Sequence, residues 1–109
     1  MSIFSFFKNA SNNIQSVNAA DFKTIIADKE VQLVDVRTAE EYAGGTIQHA
    51  QLADIYARDF KQKIEKLDKT RPVAVFCHSG ARSYQAALLL AQKGFEKIYN
   101  LKGGMMMWR

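Results

Sequence analysis

Two mostly apolar runs, Val31 to Val36 and Val73 to Phe76, stand out from a chain that otherwise spaces its hydrophobic residues for helices. Val73 to Phe76 is apolar on both faces, as a strand covered by helices on each side requires. Pro72 precedes it, where a missing N–H is tolerated. A third, shorter strand is expected from Lys97 to Asn100. Between the strands the pattern turns helical. Asn18 is placed as an N-cap with Asp21 in the first turn, Val17 and Phe22 fit a hydrophobic staple across it, and Phe22, Ile25 and Ile26 form an apolar face. Thr38 caps a short helix through Glu40, Glu41 and Tyr42 that stops at Gly44-Gly45. An amphipathic helix is expected over roughly Asp54 to Leu67, with Ile55, Phe60, Ile64 and Leu67 inward. A further helix follows Cys77–Ser83 and ends at Gly94, a natural residue to follow a helix. Gly103-Gly104 opens a last short helix. Alternating strands and helices predict an α/β domain with a mainly parallel sheet.

At 109 residues the chain fits one domain. The expected division is an irregular segment, residues 1–13, followed by the folded domain, 14–109. The opening Met1-Ser2-Ile3-Phe4-Ser5-Phe6-Phe7-Lys8 is apolar but too short for a signal peptide; it fits a segment packed on the domain or a weak interfacial anchor. No apolar stretch is long enough to predict a membrane span. The net charge of +4 is compatible with an anionic small substrate. Lys61, Lys63, Lys66 and Lys69 are interleaved with Asp59, Glu65 and Asp68, which reads as a solvated helix face. No basic cluster carries interleaved aromatics, so nucleic acid is not expected as a partner. One cysteine excludes an internal disulfide, and a reactive thiol is easier to keep reduced in a cytoplasmic setting. One cysteine and two distant histidines make no ligand set, so neither a metal nor another cofactor is expected.

Candidate chemistry centres on Cys77, at the carboxyl end of the Val73–Phe76 strand and before a helix. Free N–H groups and the helix dipole favour a thiolate there, although a lone cysteine is also a common small core residue. The loop His78-Ser79-Gly80-Ala81-Arg82 is suited to an anion. Gly80 permits a tight turn, small side chains leave the N–H groups open, and Arg82 adds a fixed positive charge.

Cys77-His78-Ser79-Gly80-Ala81-Arg82-Ser83 resembles the active loop of single-domain rhodaneses. Asp35-Val36-Arg37-Thr38-Ala39-Glu40-Glu41-Tyr42 resembles that family's early motif, and Gly94 through Gly104, followed by Trp108, its closing motif. The resemblance runs from about Val17 to the last residue. One segment departs from it: Thr46, Gln48 and His49 stand where the family has His, Pro and Gly. The resemblance implies a five-stranded, mostly parallel sheet with helices on both faces. It also implies a sulfurtransferase in which Cys77 takes sulfur from thiosulfate or a persulfide and passes it to an external thiol or cyanide, with His78, Ser79, Gly80, Ala81 and Arg82 holding the substrate. Two other classes remain open. One is a persulfide carrier or binding module. The other is a phosphatase or arsenate reductase on the same fold, whose loops resemble Cys-x5-Arg where this chain has Cys-x4-Arg.

Asp35, Arg37 and Ser83 are candidates for support behind the loop, with Arg37 pairing Glu40 or Glu41; for Asp35 and Arg37 the alternative is a structural cap and a surface pair. His78 adjoins Cys77, where neighbouring side chains diverge, so contact with bound substrate fits better than a general base. His49 is expected at the surface. Met105, Met106, Met107 and Trp108 are expected to pack the core and rim the pocket.

Overall fold

A computed structural model describes residues 11–109. Five parallel strands, β1 (Ile14–Val17), β2 (Gln32–Asp35), β3 (Gln51–Leu52), β4 (Val73–Phe76) and β5 (Ile98–Leu101), lie in the order β1-β5-β4-β2-β3. The helices are α1 (Ala19–Ile26), α2 (Ala39–Ala43), α3 (Phe60–Glu65), α4 (Ala81–Gln92) and a closing 3-10 helix (Gly104–Met107).

Residues of β4 are buried throughout, and its side chains divide between two cores. Val73, Val75 and Cys77 face a layer containing Phe60 and Ile64 of α3 and Ala86, Ala87 and Leu90 of α4. Ala74 and Phe76 face Phe22 of α1, Ile47 and Ala50. The sheet is therefore covered on both sides, as its unbroken apolar runs require. Two caps match the sequence pattern. Asn18 accepts from the Asp21 N–H, and Thr38 and Glu41 form a reciprocal capping box.

Several expectations are corrected. Asn12 is helical rather than irregular, and residues 1–10 lie outside the described part. The helix expected from Asp54 begins only at Phe60. Ala53 and Ile55 instead donate to the carbonyls of Asp35 and Val36 alongside β2, and Asp54 folds the next residues into a turn by accepting from Tyr56. Met105 and Trp108 do pack on the core, whereas Met106 and Met107 are about 60% exposed (61% and 60%) because the 3-10 helix turns them outward.

In the divergent segment, His49 holds φ at 74°, the left-handed conformation that favours glycine. Its exposed ring has no packing that demands histidine. His49→Gly is expected to raise stability by about 0.5–1 kcal/mol, the left-handed penalty less glycine's extra unfolded-state entropy. A lowered midpoint in urea would contradict this.

Candidate functional site

At the neighbouring carboxyl ends of β2 and β4 the chain's later connections diverge, outward to β3 on one side and to β5 on the other. Such a switch point leaves a crevice beyond the strand ends. Cys77 follows β4 directly and is 0% exposed. Its Sγ accepts from the Gly80 N–H at 3.1 Å and from the Ser83 N–H and Oγ, both at 3.4 Å.

The loop is held so that its N–H groups turn inward. Gly80 takes φ 99° and leads directly into α4. On the opposite side the closing 3-10 helix takes the loop's carbonyls: Met105 N–H donates to Cys77 O at 2.9 Å and Met106 N–H to His78 O at 3.1 Å. With those carbonyls occupied outside, donors are left facing the sulfur. Burial pushes the Cys77 thiol up, but the Ser83 hydroxyl and the N–H groups of Ser83, Gly80 and Ser79 outweigh it, and the net shift is below the ordinary thiol value. A sulfur so placed can act as a nucleophile.

Ser83 thus touches the sulfur itself. Its single hydroxyl proton is shared between Sγ and Asn100 Oδ1, which accepts at 2.5 Å, while Asn100 Nδ2 donates to Gly80 O and Ser16 Oγ, each at 3.3 Å. This buried amide ties β5 and β1 to the loop. It was missed from the sequence, although a lone amide inside Ile98-Tyr99-Asn100-Leu101 was a visible signal. His78, Ser79 and Ala81 are exposed on the loop's outer side. Ser79 Oγ accepts from the Ala81 N–H at 3.4 Å.

Arg37 does not pair with Glu40 or Glu41. Its guanidinium binds Asp35 at 2.8 and 3.0 Å and donates to Gly45 O at 2.7 Å; Asp35 also accepts from Thr46 Oγ1 at 2.8 Å. The two charges are buried and reach each other across a single residue, which desolvated ions need. They staple the end of β2 to the segment after α2, and none of their hydrogen bonds reaches the Cys77–Arg82 loop.

Glu41 turns instead to Arg82, 41 residues away, in a bidentate pair at 2.8 and 3.0 Å. The pair spans the crevice from α2 to α4. Arg82's hydrogen bonds lower the Glu41 carboxyl from an ordinary 4.5 to about 2; burial opposes this and Thr38 reinforces it. Its contribution to stability is therefore complete above the ordinary carboxyl range and is lost as pH falls through about 2. Glu41→Gln is expected to flatten the acid limb of the stability curve between pH 4.5 and about 2, measured by urea unfolding. An unchanged acid limb would show that the pair contributes nothing.

A basic hollow lies elsewhere. About 430 Å3 in volume and lined by Lys69, Arg71 and Lys97 among others, it sits where β4 and β5 begin, at the opposite end of the sheet from Cys77. No helix among the described residues is long and apolar enough to cross a membrane.

A family profile described as a rhodanese-like domain matches residues 18–109. A sulfurtransferase of Allochromatium vinosum is 35% identical over 96 residues, covering 87% of this chain and 88% of that protein. A tRNA uridine(34) hydroxylase of Pelagibacter ubique is 36% identical and covers 91% of this chain, which spans only 33% of that relative's length. A crystal structure of a rhodanese-like domain protein from Staphylococcus aureus superposes with a TM-score of 0.76 at 30% identity, covering 87% of this chain and 91% of that one.

Proposed function

The chain belongs to the rhodanese-like domain family, and from that premise we propose that it is a sulfurtransferase working through a persulfide on Cys77. The observation that carries this is the sulfur's seat: one buried thiol at the end of β4, with the N–H groups of Gly80 and Ser83 aimed at Sγ. In the first step the thiolate attacks the outer sulfur of a sulfane donor. A Cys77 S–S bond forms, the donor's bond to that sulfur breaks, and the remainder leaves with the electron pair. In the second step an external thiol, or cyanide in an assay, attacks the outer sulfur and releases the Cys77 thiolate. Two covalent half-reactions give ping-pong kinetics. The loop N–H groups that reach Sγ, those of Ser79, Gly80 and Ser83, stabilise charge on donor and persulfide. These 109 residues hold one cysteine, so they offer no second thiol to accept the sulfur.

The four residues between Cys77 and Arg82 favour sulfur over phosphoryl transfer. A short ring brings its donors close to a sulfur on Cys77 and leaves less room for three phosphoryl oxygens, and a misplacement of about 1 Å can cost roughly a hundredfold in rate. The test is intact mass after incubation with a sulfane donor. One added sulfur atom, removed by a reducing thiol, is the expected result. No adduct, together with strong hydrolysis of an aryl phosphate, would overturn the assignment.

A further inference from the structure

We infer that Glu41, through its hold on Arg82, sets the donor class: the site loads sulfur from an organic hydropersulfide in preference to the thiosulfate dianion. This rests on the sulfurtransferase reading above and concerns which donor that chemistry takes. Arg82 is the cation of the loop, and both terminal nitrogens of its fork are engaged by the two Glu41 oxygens. A sulfonate that sought the same bidentate grip would have to displace a carboxylate already in place. Protonation gives no relief, since the Glu41 carboxyl titrates at about 2. The buried cation nearby, Arg37, is committed to Asp35 and the Gly45 carbonyl.

The charges of the two loading steps differ accordingly. Thiosulfate brings two negative charges to a thiolate; the Cys77 S–S bond forms, the donor S–S bond breaks, and sulfite leaves as a dianion. The reacting pair carries three negative charges beside Glu41, against one guanidinium. A hydropersulfide ionises readily but reacts as an electrophile through its neutral form R–S–S–H, which brings none. The thiolate bonds to its outer sulfur, R–S⁻ leaves with the electron pair, and the product is Cys77–S–S–H, which then gives its proton to water. Only one negative charge is present through the transfer, until that proton leaves. At separations of a few ångströms a like charge near the surface is worth roughly tenfold or more in rate.

Glu41 also accepts from the Thr38 N–H in the α2 capping box at 3.2 Å, so truncation would disturb the helix as well as the charge. Glutamine is an accepted capping-box partner, which makes Glu41→Gln the informative variant. The rate of loading Cys77 is read by intact mass, with thiosulfate and with the hydropersulfide of 2-mercaptoethanol, whose tail is uncharged. Glu41→Gln is expected to raise the thiosulfate-to-hydropersulfide rate ratio about tenfold over wild type, and Glu41→Asp, which keeps the charge, to leave it within about twofold. In the wild type alone, added salt is expected to speed thiosulfate relative to the hydropersulfide by screening the repulsion. A ratio unmoved by Glu41→Gln, or one that falls with salt in the wild type, overturns the inference and leaves the sulfurtransferase reading intact. Failure of both donors to load Cys77 overturns that reading itself, and this inference with it.

Discussion

Cys77→Ser is expected to abolish sulfur transfer while leaving the fold and its melting temperature almost unchanged. The oxygen of serine occupies less space than sulfur, but the side chain is otherwise the same shape, and the Gly80 and Ser83 N–H groups that donate to Sγ can donate to Oγ instead. What is lost is ionisation and the capacity to hold a second sulfur. A hydroxyl has no base beside it here: Ser83 and the loop amides are donors, and none of them takes a proton at neutral pH. Activity should therefore fall to the level of the buffer, as when a sole covalent nucleophile is removed. The measurement pairs donor turnover and intact mass with a thermal melt. A variant that still gained sulfur would place the chemistry elsewhere, and one that unfolded would show that the thiol is mainly a packing residue.

Gly104→Ala is expected to damage both stability and activity. Gly104 holds φ at 56°, and a Cβ built there collides with the carbonyls of Cys77 and His78. Those atoms are backbone, so they cannot swing aside as a side chain can. The left-handed conformation alone costs about 1–2 kcal/mol for a residue with a Cβ, and the collision adds about 1–3 kcal/mol. Moving the loop away would break the Met105 and Met106 hydrogen bonds that hold its carbonyls outward. A loss of about 3 kcal/mol corresponds to a drop of roughly 10–20 °C in melting temperature for a domain of this size. Gly103→Ala is the control. There the Cβ first meets Met107 Cγ, a side-chain atom of an exposed residue that a rotamer change can move, although φ of 80° still carries the left-handed penalty. Equal melting temperatures for wild type and Gly104→Ala would refute this account of how the loop is held.

The parts of the fold that were legible are those whose signals are local. Val73–Phe76, the Thr38 and Asn18 caps and the stop at Gly94 each depend on neighbours within a turn or a strand. The edge strands were not legible by pattern. Ile14–Val17 has apolar residues only at its ends, and Gln51–Leu52 is too short to show a period. The family resemblance, rather than any pattern, implied a five-stranded sheet. The apolar spacing continues back to Ile55 and predicts a longer helix than α3, while the carbonyls of Asp35 and Val36 claim that backbone. In the site, Cys77 and its loop could be read because strand end, turn and helix start are contiguous. The Glu41–Arg82 pair could not, since it closes a separation of 41 residues. Glu40 and Glu41 follow Arg37 closely in sequence, yet it is Asp35, two residues back, that folds its carboxylate onto the guanidinium.

The seat of Cys77 is made largely of main chain, and this gives the loop unequal freedom to mutate. Every residue but proline offers an N–H, so the outward-facing side chains of His78 and Ala81 are not what aims the donors, whereas Ser79 Oγ takes the Ala81 N–H. Gly80 and Gly104 are fixed by backbone geometry, and Ser83 by its contacts with Cys77 and Asn100. Two positions on the loop are thus open to relettering while the nucleophile's surroundings stay constant. A domain built this way can acquire new donors and acceptors by single substitutions, each tested without first having to rebuild the chemistry, and an engineer seeking altered selectivity has those same two positions to randomise.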